Sequence, residues 1–382
     1  MTRTKKSKLD NHHHQEEQEE LIPGLPDHLS LLCLYRVNKP NLLYSVCHSW
    51  RKIIYSPNFP PFLSLYAILS PPINNKSHLV SNSIHISSFD PISSKWNSIA
   101  PSIPLLNSPP FLLHHPSFLS RQLPIQSVTL SNTLVFVSGT TNNLIPALSN
   151  PLIFNPLSNK WSLGPQINHP RRWCATGVVH GSLYIASGIG SRYNRDVAQS
   201  AERWCCSEDS SSRNYWEKIS SLKDGRFSRE AIEAVGWRGK LMMVNVKGNA
   251  VKEGVLYNVE TDTWEDMPQG ILIGWNGPTT TMDEEEIYTV DERKGVLKRY
   301  NVNLDVWESI IESRDLIGAV QITARGGKIC VVCGGGNGIL VVDLLVEPVK
   351  MWVLEPPPPP DLQVVGIHIL PRMSCSCNES EL

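Results

Sequence analysis

Charge is scarce in this 382-residue chain, at 19% of residues, and neither sign prevails: 35 Lys and Arg stand against 36 Asp and Glu. A chain so balanced is not built to coat nucleic acid or an anionic membrane. Long apolar runs are missing too. The longest candidate, 339–346, is interrupted by Asp343 and falls short of the roughly 18–20 residues a spanning helix needs. The first twenty residues carry no apolar stretch of the secretory kind, and the nine cysteines are an odd number at scattered spacings. Such thiols are expected to be reduced, in a cytoplasmic or nuclear protein, and not a disulfide framework. Signatures of catalysis are lacking as well. No G-x-S-x-G or zincin element is present, and Gly334–Gly338 is followed by no Gly-Lys-Ser/Thr. Cys330 and Cys333 have no second pair at zinc spacing, and three positions apart on a strand they point to opposite faces. Asp283–Glu286 reads as a solvated turn and Cys205-Cys206 beside Trp204 as packing. No metal or cofactor is expected.

What the chain does have is 29 prolines, 24 glycines and 11 tryptophans, the profile of a turn-rich β protein. Residues 1–20 are polar and charge-rich and are expected to be a disordered leader, with Lys5, Lys6, Lys8 and His12–His14 as part of its solvated surface. Residues 21–56 differ. Leu25, Leu29, Leu32 and Leu34, then Leu42, Leu43, Val46, Trp50 and Ile53, fall at helical spacings of three and four. Pro26 and Asp27 suit a first helical turn, and Asn41 is placed to cap the helix after the Asn38-Lys39-Pro40 break. This stretch reads as a compact all-α module too small to bury much core of its own.

Beyond residue 60 the helical period vanishes and tryptophan sets a longer one. Trp96, Trp161, Trp216, Trp264, Trp307 and Trp352 recur at intervals of 65, 55, 48, 43 and 45 residues, about 51 on average. FDPISSKW, FNPLSNKW, YNVETDTW and YNVNLDVW each join a short strand, a polar turn and the tryptophan. Further β-rich runs precede these, at 134–139, 183–188, 241–246, 287–291 and 329–336. Four short strands per unit, repeated radially, predict a mainly β fold, a propeller of about six blades over 60–372, with the tryptophans packing between blades. The first unit shows only about three strands, while 363–370 (QVVGIHIL) is left without a partner. That run is expected to supply the missing strand and close the ring, removing the exposed edges. Residues 373–382 are expected to be a flexible tail.

Two patterns now carry a family resemblance. Leu25-Pro26 and, later, Cys47-His48-Ser49-Trp50-Arg51 resemble an F-box, and the β units, with Gly334-Gly335 in the last, resemble kelch repeats. The paired glycines degrade to Ser-Gly at 138–139 and 187–188 and to Val-Asn at 244–245. The order of the two parts is similar to that of plant F-box/kelch-repeat proteins, over about residues 21–370. The resemblance implies a non-catalytic substrate receptor of a Skp–cullin–F-box ubiquitin ligase. Its F-box would dock a Skp adaptor, and through it the cullin–RING ligase, by Leu25, Pro26, Leu29, Leu32, Val46, Cys47, Trp50, Arg51 and Ile54. The alternatives are a kelch scaffold acting outside any ligase and, less well supported, a propeller enzyme.

In an up-and-down blade, the connection from second to third strand leaves on the same face as the link to the next blade. Pro170–Trp173 falls on such a link and 188–196 on such a connection, so Arg171, Arg172, Trp173, Arg192, Tyr193 and Arg195 are expected to converge. Arg226 and Arg229, Trp275 and Asn276, and Arg314 occupy the corresponding links of later units. Arginine and aromatic residues form interface hot spots and grip oxyanions, so the expected partner is an acidic or phosphorylated target segment.

Overall fold

A computed structural model describes residues 21–37, 40–56, 59–60, 62–70, 85–99, 111–112, 114–115, 123–141, 145–146, 148–205, 215–229, 232–245, 252–334 and 338–373. The expected leader, Cys206, Gly335 and the tail beyond 373 lie outside these residues. The described chain forms two compact units, 21–60 and 62–373. Among the described residues no helix is long and apolar enough to cross a membrane.

The first unit holds three helices: α1 (Asp27–Tyr35), α2 (Pro40–Tyr44) and α3 (His48–Ile54). Asn41 does not cap α2, because Pro40 itself opens the helix. A first helical position needs no N–H partner and suits the fixed φ of proline. Cys47 caps α3, its Sγ accepting from the Trp50 N–H at 3.4 Å.

The second unit is a six-bladed propeller of four-stranded antiparallel sheets. From the inner strand outward, blade 1 is Gln363–Pro371, Leu63–Ser70, His85–Asp90 and Lys95–Ile99. Blade 2 is Gln126–Leu130, Thr133–Ser138, Leu152–Asn155 and Lys160–Leu163; blade 3 is Ala175–Val179, Ser182–Ala186, Ala201–Cys205 and Trp216–Ile219. Blade 4 is Ile232–Trp237, Lys240–Asn245, Gly254–Asn258 and Thr263–Asp266; blade 5 is Thr279–Met282, Glu286–Asp291, Val296–Asn301 and Val306–Glu312. Blade 6 is Ala319–Arg325, Lys328–Cys333, Ile339–Asp343 and Lys350–Leu354. The partnerless 363–370 run closes the ring as expected: Gln363–Pro371 pairs antiparallel with Leu63–Ser70, from Leu63↔Pro371 to Ser70↔Gln363. Between blades 1 and 2 the chain adds two short ladders, Phe111–Leu112 on Thr140–Thr141 and His114–His115 on Leu123–Pro124.

The apolar core lies between blades. One cluster joins Tyr66, Ile68 and Ile86 of blade 1 to Leu134, Phe136 and Phe154 of blade 2, and comparable clusters fill the other five interfaces. Middle strands are therefore buried on both sheet faces, and the seven residues following Leu63 in its strand are all buried.

In blades 1, 3, 4 and 5 the repeated tryptophan latches the outer strand to the link that precedes the blade. The indole N–H of Trp96 donates to Glu355 O (3.0 Å), Trp216 to Pro165 O (3.1 Å), Trp264 to Ser220 O (2.7 Å) and Trp307 to Gly270 O (3.0 Å). The polar turn before it holds a residue at positive φ, namely Ser94, Asn159, Asp262 and Asp305. In blades 4 and 5 that aspartate also accepts from a strand tyrosine, Tyr257 at 2.7 Å and Tyr300 at 2.5 Å. Trp352 departs from the expected packing. It remains 40% exposed, with the Lys328 ammonium 5.5 Å from its ring centroid.

The six inner strands surround a central channel of about 1200 Å³, lined in part by small hydroxyl residues such as Ser127, Thr129, Thr176, Thr281 and Thr323. His368 bridges two blades at this wall, its ring nitrogens 2.9 Å from Ser127 Oγ and 3.1 Å from Thr129 Oγ1. Burial holds its pKa down to about 4, so the ring is neutral.

Candidate functional site: a helical apolar surface and a propeller loop face

In the helical unit, several expected docking residues are held by internal contacts. The Trp50 indole N–H donates to Leu21 O (2.7 Å), tying α3 to the chain ahead of α1. Arg51 Nε donates to Tyr44 O (2.7 Å), and its guanidinium lies 4.8 Å from the Tyr44 ring centroid. Leu25, Trp50 and Arg51 are half-buried, whereas Pro26 and Cys47 are exposed. Ile54 leaves the set of surface candidates, because it is fully buried. Leu29 and Leu32, three positions apart on one face of α1, are 41% and 56% exposed, and Val46 is 58% exposed. Leu42 at 56% joins them. Leu42 and Leu43 both belong to the helical apolar series of the sequence, and in α2 Leu43 turns inward while Leu42 faces out.

On the propeller, the antiparallel order puts blade-to-blade links and second-to-third-strand connections at one end of the ring. Two such segments meet in blade 3. Arg172 N–H donates to Ile189 O (2.9 Å) and Ile189 N–H to Arg172 O (3.0 Å). Gly188, at φ +95°, is required beside them: a Cβ there would stand 2.8 Å from Arg172 O and 3.0 Å from Cys174 Cβ. The same loop reaches the next link, where a Cβ on Gly225 would lie 3.5 Å from Tyr193 Oη. Arg172, Trp173, the 188–195 loop and the link carrying Arg226 thus converge.

Their roles divide sharply. Arg171 leaves the list of target contacts. It is 1% exposed, pairs with the buried Glu202 carboxylate, and donates to the carbonyls of His169 (3.1 Å), Ser187 (3.0 Å) and Ser200 (3.2 Å). Burial pushes its pKa down and the Glu202 charge opposes this. Glu202 Oε2 also accepts from Asn168 N–H (3.2 Å), so the pair pins the link to blade 3. Trp275 likewise is fully buried, its indole N–H donating to Glu233 Oε2 at 2.7 Å. Trp173 is buried at 9% exposure and holds φ +55°, rare for a bulky side chain. Arg192, Tyr193, Arg195, Arg226, Asn276 and Arg314 are exposed. Arg195 Nε donates to Gln199 (3.2 Å), and Arg226 pairs with Asp224 (3.5 Å) and Glu253 (3.3 Å). The Arg229 backbone ends the short turn Arg226–Arg229, and its side chain lies outside the described set.

No family model matches the chain. Comparison with curated proteins is more informative. The chain is 47% identical to the F-box/kelch-repeat protein SKIP25 of Arabidopsis thaliana over 363 residues, 93% of this chain and 90% of that protein. It is 24% identical to the F-box protein AFR of the same plant over 297 residues, 72% of this chain and 69% of that protein. A further Arabidopsis thaliana F-box/kelch-repeat protein is 24% identical over 374 residues, covering 80% and 74% of the two chains. With this extent of identity, the helical unit and the six-bladed ring, the chain belongs to the F-box/kelch-repeat family.

Proposed function

We propose that this chain is the substrate-receptor subunit of a Skp–cullin–F-box ubiquitin ligase, with its helical unit docking a Skp adaptor and its propeller holding the target. It works by bringing two proteins together and not by chemistry of its own. Within the F-box/kelch family, the observation that carries this reading is the exposure of Leu29, Leu32, Leu42 and Val46 on so small a unit. Exposed apolar side chains concentrated on a small module mark a partner surface. The blade 6 thiols Cys330 and Cys333 do not favour a catalytic role for that pair: burial raises the pKa of Cys330 to about 12 and that of Cys333 to about 11, so little thiolate forms there.

The test is co-purification of the full chain with a plant Skp adaptor, wild type against Leu29→Asp/Leu32→Asp. Both side chains are exposed, so the variant folds, and the wild type is expected to bind stoichiometrically while the variant loses binding by at least about tenfold. A folded wild type that leaves the adaptor unbound refutes the ligase reading. Target capture rests on the exposed Arg192, Tyr193, Arg195, Arg226, Asn276 and Arg314. Arg192→Ala/Arg195→Ala is expected to reduce recovery of ubiquitinated partners while leaving adaptor binding unchanged.

A further inference from the structure

The turn that presents Leu25 and Pro26 is set by a side chain from the last helix of its unit. Residues 22–25 read Ile-Pro-Gly-Leu, and the Leu25 N–H donates to Ile22 O at 3.0 Å. Proline second, glycine third and Gly24 at φ +79° are the residues and the conformation of a type II turn. Behind the turn the chain is anchored to α1. The buried Ser30 donates from Oγ to Leu25 O at 3.2 Å, and the Leu29 and Ser30 N–H groups donate to Pro26 O at 2.9 and 3.0 Å. Ahead of the turn, Leu21 is fastened twice. Asp27 Oδ1 accepts its N–H at 3.3 Å, and the Trp50 indole N–H donates to its carbonyl at 2.7 Å. This last bond spans 29 positions of sequence and joins α3 to the front of the turn.

A four-residue turn closed by one hydrogen bond does not hold a single shape against backbone entropy, so contacts from elsewhere must fix it. An indole has one polar atom, and that of Trp50 is spent on Leu21 O. Its ring is half-buried, whereas Pro26, on the turn it holds, is exposed. We infer that Trp50 is a positioning residue for adaptor docking: it fixes the Leu21–Leu25 turn so that Leu25 and Pro26 meet the adaptor in a preset geometry, and it is not itself an adaptor contact. Fixing the turn before the encounter removes an ordering cost from binding. The positioning stands on the hydrogen bonds of the helical unit, and its use for an adaptor rests on the receptor reading.

Two variants disturb the turn while leaving Leu25 and Pro26 in place. Trp50→Phe keeps an aromatic ring and removes the N–H. Gly24→Ala adds a Cβ that meets no atom within 4 Å, so its effect is confined to a left-handed backbone that alanine resists. Hydrogen exchange of the full-length protein is read first, with no adaptor present. In Trp50→Phe the Leu25 amide is expected to exchange at least about threefold faster, while amides inside α1 and α3 keep their wild-type rates. Affinity is read second, by titrating a plant Skp adaptor into the full-length protein. Each single variant is expected to bind about three- to tenfold more weakly. In a Leu25→Ala background, where the presented anchor has gone, the effect of Trp50→Phe should shrink to about twofold or less. Three results overturn the inference. Unchanged exchange at Leu25 in Trp50→Phe would mean that the turn keeps its shape without the bond. Faster exchange throughout α1 and α3 would make Trp50 a packing residue of the whole unit. An undiminished affinity loss in the Leu25→Ala background would mean that the ring touches the adaptor directly. A wild-type chain that leaves the adaptor unbound refutes the receptor reading instead, and the exchange rates still decide whether Trp50 sets the turn.

Discussion

Acid should weaken the propeller through one residue, His368. Its ring bridges the inner strands of blades 1 and 2 through Ser127 and Thr129. Both hydroxyls can accept from a protonated ring, so desolvation, and not a lost hydrogen bond, opposes the charge. Burial lowers the pKa from 6.5 in the unfolded chain to about 4 in the folded one. A depressed histidine pKa means that the unfolded chain binds the extra proton over this window. Stability is therefore fully present above pH 6.5 and is lost as pH falls toward about 4. The full span corresponds to about 3 kcal/mol, and the part between pH 7 and pH 5 to about 2 kcal/mol. Other groups titrate in the same range, so the readout is a difference. Urea unfolding of wild type and His368→Gln, followed by tryptophan fluorescence at pH 7 and pH 5, should show the wild type losing about 2 kcal/mol more than the variant. Equal losses would refute the reasoning and mean that His368 charges within the fold at little cost.

The remaining predictions concern the pins and the tight contacts. Glu202→Ala strands the Arg171 charge in a buried site and should cost about 3–5 kcal/mol, read as a lower denaturation midpoint; an unchanged midpoint would show that the carbonyls alone satisfy the guanidinium. Gly236→Ala places a Cβ 1.7 Å from Val178 O, where the inner strands of blades 3 and 4 approach. It should cost about 3 kcal/mol or more in a melting experiment. Gly181→Ala, in a hairpin at φ +68° with nothing within 4 Å, should cost only about 1 kcal/mol of backbone strain. Equal costs for the two glycines would show that the close strand approach is not what selects Gly236.

Much of the fold was legible because its signals are spaced and redundant. The tryptophan interval marked the blades, and the unpaired run at 363–370 implied ring closure, which needs no side-chain detail to foresee. Faces of the ring were legible as well, since alternation of strand direction assigns each loop to an end. Burial within a loop was not. Arg171 and Arg172 are adjacent, identical in type and on the same link, yet one is saturated and the other has donors to spare. The available clue to Arg171 was Glu202, a carboxylate inside the strand Ala201–Cys205 whose side chain had to find a cation. Trp275 gave the opposite lesson: a lone loop aromatic resembles an exposed anchor until its indole N–H is seen on Glu233. Trp352 shares the spacing of the other repeat tryptophans but not their burial, because spacing reports position in the blade and not what covers it.

Ring closure also sets a timetable. Leu63 waits for Pro371, so the first blade lacks its inner strand until nearly the whole propeller has been made. At about 5–20 residues per second, roughly 300 residues of synthesis take about 15–60 seconds. During that interval the helical unit, which comes first in the chain, is already available, while the edge of Leu63–Ser70 stands open. On the proposed receptor reading, adaptor recruitment and target recognition would thus mature at different moments in the life of one chain. On the same reading, a product cut short before Gln363 would occupy an adaptor without the closed ring that presents the loop face, and would act as a competitor of the finished receptor.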